Sequence, residues 1–408
     1  MTRELDLDAA YAQLCVQAAA VQDTEAVATA RARGRVLARD VVAAADLPAQ
    51  DLAAMDGYAV RSAELGAGTN ELPVAGRVLA GRPFEGRAGP ASCLRIMTGA
   101  PMPEGFDAVV IQEVAVPAPG GRVVLPGPVE PGLNRRRRGE HVTAGSTVLA
   151  AGRQLRPADL NLASAAGAGE LRVYRRLRAG VFSTGDELRD PPAPLPEGGA
   201  YDGNRPMLLA ALERQGIDAE DLGICPDEAT ALERIVAQAG ERELDVLLVS
   251  GGAAQGDADI VRMMPGVAFL PVRVRPGRGL AWARLEAAGR RLVLIGLPGN
   301  GVAAYVLFNL LALPVLRHMA GAQAGVPQPV WLPAAAPMRN RPGKIDMRRG
   351  RLVRNDSGAT AVEIFAQQGS AMIRGVSEAQ VLIEVGPLGE YRAGDLMPCH
   401  LIEALEAS

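Results

Sequence analysis

The chain has 408 residues, 48% hydrophobic, 22% charged and only 3% aromatic; this length exceeds one comfortable core, so about two to four domains are expected, and the composition excludes overall disorder. A formal net charge of -3 gives no general attraction to a phosphate backbone, which argues against nucleic acid and makes any anion site local. Cys15, Cys93, Cys225 and Cys399 lie far apart, and of His141, His318 and His400 only the last adjoins a cysteine, so neither a disulfide framework nor a zinc site is expected.

The first residues carry charges without an apolar signal region, and no uninterrupted apolar run approaches the ~18 residues of a membrane span, so a cytoplasmic protein with no membrane partner is expected. Tyr11, Leu14, Cys15 and Ala18 repeat at helical spacing, with Asp8 available as a cap. From about Asp46 to Glu140 the texture changes to short apolar runs broken by Gly and Pro, among them Leu72-Pro73-Val74 and Ala108 to Ile111. That pattern predicts a small β-rich domain.

The middle of the chain alternates strand and helix signals. Arg178 to Phe182, Glu220 to Ile224, Asp245 to Ser250 and Arg291 to Ile295 read as strands. Asn204 to Gln215, with Pro206 near its start and Gly216 beyond its end, and a segment from Asp227 with Leu232, Ile235, Val236 and Ala239 on one face, read as helices. A doubly wound parallel sheet fits this alternation. The nearly all-apolar helix from Val302 to His318 should be buried. After Ala324 strand-like runs return at Val330-Trp331-Leu332, Ala361 to Phe365, Val381-Leu382-Ile383 and Leu396 to Ile402, which predicts a C-terminal β-barrel or sandwich.

Three loops follow candidate strands of the central domain: Ser183-Thr184-Gly185-Asp186-Glu187, Ser250-Gly251-Gly252 continuing to Asp259, and Gly296-Leu297-Pro298-Gly299-Asn300. Open α/β sheets bind ligands beyond the carboxyl ends of their strands. Glycine admits a bulky anion close to the backbone, while hydroxyls and helix N-termini supply donors, so a phosphate-bearing ligand is the expected class. Glu187, Asp227 and Asp259 would repel such a ligand unless a hard cation intervened, which points to Mg²⁺ held by one or two carboxylates and substrate oxygens. Each loop alone could be an ordinary turn; their recurrence at three strand ends favours a site. The run Arg135-Arg136-Arg137-Arg138 offers guanidinium forks to an oxyanion, although alone it reads as a solvated basic loop. No phosphate-loop or dinucleotide-binding glycine motif occurs.

Met55 to Val60, Arg95-Ile96-Met97-Thr98-Gly99-Ala100-Pro101, Arg136-Arg137-Arg138-Gly139-Glu140, Phe182 to Leu188 and Gly296 to Asn300, taken together and in this order, resemble the molybdopterin molybdenumtransferases of the bacterial MoeA type, related to the gephyrin E domain. The resemblance implies a multidomain α/β plus β protein. Its parts would be a discontinuous helical and β domain (1–45 and 142–175), an inserted β-rich domain (46–141), a doubly wound molybdopterin-binding α/β domain (176–324) and a C-terminal β-barrel (325–408). It also implies a homodimer in which Asp56 and Thr98 of one protomer face the Glu187, Asp227 and Asp259 of its partner.

The substrates implied are molybdate and adenylylated molybdopterin, with Mg²⁺ assisting as AMP is released, and the partners are other cofactor-assembly proteins and apo-molybdoenzymes. Arg136, Arg137, Arg138, Ser183, Thr184, Gly185, Gly251, Gly252, Arg275, Arg278, Pro298, Asn300 and Ser370 would contact substrate. The pattern departs at His141, where the family has an acid, at Ala254 for a serine, at Pro271 for a lysine and at Gly301 for a proline. These departures leave a second reading open, a diverged binding or carrier protein with little insertion chemistry.

Overall fold

The computed structural model describes residues 4–252, 259–340, 343–355, 357–387 and 389–406. Helix α1 (Leu7–Gln17) opens the chain, capped by Asp6, whose Oδ1 accepts a 2.8 Å bond from the Ala9 amide. Asp8, the expected cap, lies in the first turn instead, where its charge still favours the helix N-terminus. Residues Thr24–Ala28 pair antiparallel with Glu170–Tyr174, so the N-terminal region closes around segments far apart in sequence. Leu37, Leu155, Leu171 and Val173 form the core there.

Between these segments lies a β unit with its own sheet, running from Ala108–Ile111 through Gly57–Val60 and Cys93–Ile96 to the long strand Gly68–Val78 and its partner Arg122–Gly127. Leu94, Ile96, Ala59 and Val109 fill one side, and Cys93, Val60, Val110 and Leu125 the other. Alternation along each strand thus produces two small cores rather than one.

The α/β domain is built on β1 (Arg178–Thr184), β2 (Asp218–Cys225), β3 (Val246–Ser250), β4 (Ala268–Pro271), β5 (Gly279–Ala287) and β6 (Arg290–Leu297). Their order is β2-β1-β3-β6-β5-β4. The first four are mutually parallel, whereas β5 and β4 are antiparallel additions at one edge. The doubly wound part matches the expectation. The hairpin was missed because β5 (Gly279-Leu280-Ala281-Trp282-Ala283-Arg284) lacks the continuous branched run of a central strand.

Helix α2 (Asn204–Arg214) and the segment Gly301–Met319 cover one face of this sheet, and α3 (Ala229–Glu241) covers the other. The Gly301–Met319 segment is long and apolar enough to cross a membrane, yet it lies buried against the sheet with Val302, Val306, Leu310 and Leu316 sealed from solvent. Each such side chain contributes ~1.5–3 kcal/mol by leaving water. Its middle, Phe308–Ala312, widens into a π-turn. Pro314 has no N–H to give the Leu310 carbonyl, and the Asn309 amide bonds the Tyr305 carbonyl at 2.9 Å instead.

The C-terminal domain forms a sheet in the order Val274–Arg275, Ile345–Arg354, Val381–Val385, Leu396–Leu401, Val330–Pro333, with Thr360–Ile364 beside Ile345–Arg354. A bridge between Ala334 and Val362 joins the ends into a closed barrel. Ile345–Arg354 escaped the sequence reading because arginines interrupt its apolar pattern. The edge strand Val274–Arg275 comes from the β4–β5 loop, so the α/β domain and the barrel share a sheet.

Candidate active site

Strand β1 lies between β2 and β3, so the connections from its neighbours leave in opposite directions and a crevice opens at its carboxyl end. Ser183 stands beside Ser250 in register there. Gly251, at φ +94, and Gly252, at φ +61, fold across Thr184: a β-carbon on Gly251 would sit 2.5 Å from the Thr184 carbonyl oxygen, and one on Gly252 2.7 Å from its hydroxyl. The Gly251 amide donates to the Leu297 carbonyl at 3.1 Å, which brings the Gly296–Asn300 loop against the other two. Pro298 lies on that loop and Asn300 caps the next helix, its Oδ1 accepting from the Ala303 amide at 3.3 Å. Among the described residues the buried Ser183 and Thr184 hydroxyls meet no partner, an unfavourable state that a ligand oxygen would relieve.

The acids gather next to these hydroxyls. Gly185, at φ +149, lets the Glu187 carboxylate fold back over it, where a β-carbon would lie 2.5 Å from Glu187 Oε2. Asp186 Oδ1 accepts from the Asp227 amide at 3.1 Å. Burial, and then the charges of Asp186, Glu187 and Asp259, push the Asp227 carboxyl above its ordinary range. Such mutual repulsion suits a cation. Among the described residues no three ligands already stand close enough to hold one, so substrate oxygens would have to complete the coordination. Asp259 precedes a short helix, Ile260–Met263. Ala254, Gly256 and Asp257 of the same loop lie outside the described residues.

Arg275 is half-buried at the junction with the barrel, paired in register with Asp346, while Arg278 is exposed on the same loop and Pro271 ends β4 opposite Gly279. Ser370 is exposed on a turn that sequence reasoning singled out without its support, Arg349. That guanidinium, 1% exposed, donates to the carbonyls of Gly369 at 3.1 Å and Met372 at 3.3 Å. The turn reaches the crevice, because Ile373 comes within 3.2 Å of where a β-carbon on Gly301 would stand. Nothing in the spacing of the arginine-rich strand marked Arg349 as the buried one.

In the inserted domain Asp56 Oδ1 accepts from the Thr98 amide at 2.7 Å and the Thr98 hydroxyl at 2.8 Å. These bonds, with Arg95 nearby, hold the Asp56 carboxyl below its usual range. The arginine run divides: Arg138 donates to Asp46 at 2.5 Å and Arg135 pairs with Asp51 at 3.6 Å, whereas Arg136 and Arg137 are exposed. Arg138 thus carries an ion pair within the domain while its side chain stays largely exposed. His141 lies 3.6 Å from Glu140. Among the described residues the inserted sheet makes no extensive packing with the strands and helices of the α/β domain. A cavity of about 640 Å³ lies elsewhere, lined by Arg175, Asp245 and Arg284 and by none of these residues.

Residues 5–167 match the MoeA N-terminal region (domain I and II), 180–318 a probable molybdopterin binding domain, and 332–402 the MoeA C-terminal region (domain IV). A molybdopterin molybdenumtransferase of Haemophilus influenzae is 36% identical over 372 residues, covering 90% of each chain. The chain belongs to the MoeA family of molybdopterin molybdenumtransferases. A molybdopterin molybdenumtransferase 2 of Mycobacterium tuberculosis is 35% identical over 376 residues, covering 87% of this chain and 89% of its own. The crystal structure of a molybdopterin biosynthesis moeA protein from Pyrococcus horikoshii OT3 superposes with a TM-score of 0.80 at 26% identity, over 98% of this chain and 100% of that one. This member of the family is accordingly a transferase of molybdenum cofactor biosynthesis, and the switch-point crevice falls inside the matched molybdopterin-binding region.

Proposed function

We propose that the chain inserts molybdate into adenylylated molybdopterin and releases AMP, in a crevice completed by a second copy of itself. The observation that carries this reading is the pair of buried, unpartnered hydroxyls of Ser183 and Thr184 beside a self-repelling group of acids. Hydroxyls alone suit a phosphate; the acids beside them require a cation between.

Glu187, Asp227 and Asp259 would hold Mg²⁺, which supplies Lewis-acid polarisation of the pyrophosphate link when bound. The hydroxyls of Ser183 and Thr184 and the glycine backbone at Gly251 and Gly252 orient the phosphate. Arg275 and Arg278, on the loop shared with the barrel, offset negative charge as water adds its oxygen to the pterin phosphorus, the P–O bond breaks and AMP leaves with the bridging oxygen. As the two dithiolene sulfurs bind molybdenum, a molybdate oxygen leaves as water with the two protons of the dithiol. Arg136, Arg137 and Ser370 supply donors to the oxyanion.

The separation of the inserted domain from the α/β domain within one chain supports a homodimer, in which Asp56 and Thr98 reach the partner's crevice. Four free cysteines support a reducing, cytoplasmic setting. Apo-molybdoenzymes and other cofactor-assembly proteins would receive or deliver the pterin.

A second reading, a carrier that binds the pterin without turnover, is favoured by two departures. Asn204 and Ile373 crowd the ring position that a proline at 301 would fill, and His141 stands beside Glu140 where a second acid is usual. Incubating the purified protein with adenylylated molybdopterin, Mg²⁺ and molybdate decides between them. AMP release with activation of an apo-molybdoenzyme supports insertion; tight pterin binding without AMP supports the carrier and overturns the enzyme.

A further inference from the structure

Asn204 opens α2, yet its side chain does not cap that helix. Its backbone amide is held by the buried Asp202 at 3.1 Å, and Asp202 is ion-paired with the buried Arg205 at 3.3 Å. So anchored, the Asn204 amide nitrogen donates to Ser250 Oγ at 2.7 Å and to the Gly299 carbonyl at 2.8 Å. A carbonyl only accepts, so the orientation of the Asn204 amide is fixed by Gly299 and the bond to Ser250 necessarily runs from nitrogen to hydroxyl. One of the two acceptor lone pairs of Ser250 Oγ is thereby occupied. Its proton must be donated elsewhere, and among the described residues no acceptor meets it. Ser250 is 2% exposed and stands beside Ser183, 0% exposed, and Thr184, 5% exposed, whose hydroxyls also lack partners. Ser183 and Ser250, paired in register, present two buried O–H groups on the same face at the ends of adjacent strands, a donor pair for one tetrahedral oxyanion, while Thr184 lies on the opposite face.

We propose that Asn204 is a positioning residue, setting the Ser250 hydroxyl as a donor to the phosphate of the pterin substrate and tying the loops after β3 and β6 into one unit. This rests on the reading that the crevice takes a phosphorylated pterin. Asn204 itself touches no reacting atom; it acts through Ser250 and Gly299. Loss of its amide frees the Ser250 hydroxyl to turn back toward the Gly299 carbonyl, and the oxyanion loses a preset donor.

The test compares Asn204→Ala, Ser250→Ala, the double variant and Ser250→Thr by steady-state AMP release, reading KM for adenylylated molybdopterin apart from kcat. Ser250→Ala keeps the Asn204 tether to Gly299 and so removes the donor alone. Each single alanine variant is expected to raise KM by about tenfold, the size of one hydrogen bond to a charged group, with kcat within about twofold. The double variant should also show about tenfold rather than a hundredfold, because one interaction is removed twice, and Ser250→Thr should restore KM. Unchanged KM in Ser250→Ala, or multiplicative losses in the double variant, would overturn the proposal. Should Asn204→Ala not fold, the Ser250 pair still decides the donor role. Inorganic phosphate and molybdate, each competed against pterin binding and read on Kd rather than on turnover, separate the two oxyanions: competition by phosphate that weakens in Ser250→Ala supports the assignment, and the same behaviour with molybdate alone overturns it. If the wild type binds the substrate without releasing AMP, the enzymatic reading fails, while the same comparison made on Kd still judges Asn204.

Discussion

A β-carbon on Gly251 would stand 2.5 Å from the Thr184 carbonyl oxygen, so the loop after β3 closes over the end of β1 only because residue 251 has no side chain. Its φ of +94 adds a second demand, since an L-residue there carries ~1–2 kcal/mol of strain. Gly251→Ala should therefore lower stability by about 3 kcal/mol and abolish pterin binding. Gly266→Ala is the matched control, because Gly266 has φ +82 but nothing within 4 Å of a β-carbon. Thermal melts should rank the two, with Gly266→Ala losing only the strain; equal losses would show that contact with Thr184 is not what requires glycine.

Thr98 gives Asp56 two bonds from one residue, and Thr98→Val removes the hydroxyl bond while keeping the amide bond. The Asp56 carboxyl, held below its ordinary 3.8 chiefly by the Thr98 amide and then by the hydroxyl, should move part of the way back. A depressed carboxyl stabilises the fold above its unfolded pKa and loses that contribution as pH falls through its folded value. In Thr98→Val the contribution should be smaller and its loss complete at a higher pH, closer to 3.8. Carboxyl titration by NMR would read the shift directly, and an unmoved Asp56 would leave the amide as the only effective donor.

What could be read from the sequence follows from how local each signal is. Strands β1, β3 and β6 are apolar runs that end in Ser, Thr or Gly, so both the strands and their loops were visible, as was the buried Gly301–Met319 segment. Asn204 was visible only as the start of a helix, because its partners lie 46 and 95 residues away and no spacing encodes them. The arginine run offered guanidinium forks but no hint of their partners; folding places Asp46 and Asp51 against two of its members, where strand Leu52–Ala53 meets Arg135–Arg136. Arg349 was hidden because nothing local distinguishes it, 1% exposed, from the other arginines of its strand.

Asp227→Asn separates the acid's role in cation binding from its cost to the fold. A carboxyl pushed up by burial and by like charges penalises the folded state when ionised, so the penalty is absent below the unfolded value of 3.8 and complete above the raised folded value. The amide should leave stability at neutral pH unchanged or raised by no more than ~0.5 kcal/mol, since solvent screens the half-exposed group, and this gain should vanish in acid. AMP release should meanwhile lose its response to Mg²⁺. In the wild type, Mg²⁺ affinity should fall on acidification at a higher pH than for an ordinary carboxylate. Stability that drops in Asp227→Asn at neutral pH would contradict the repulsion.

Arg205 is 5% exposed and ion-paired with three carboxylates, those of Asp190, Asp202 at 3.3 Å and Asp221 at 3.1 Å. Asp202 is itself buried and also accepts from the Asn204 and Arg205 amides, so it fixes the start of α2. Arg205→Met keeps the length and much of the volume but leaves Asp202 buried and without its cation. Removing one partner of a buried pair costs ~3–5 kcal/mol, because the remaining charge is uncompensated. Arg205→Met with Asp202→Asn should recover a large part of that loss, since the neutral amide needs no counter-charge and its oxygen can still accept from the two backbone amides. Denaturant titration monitored on the α/β domain would show the recovery, and pterin binding should return with it, because Asn204 regains its anchor. A double variant no more stable than Arg205→Met would mean that the guanidinium acts through Asp190 and Asp221 instead, and that the start of α2 is set by other contacts.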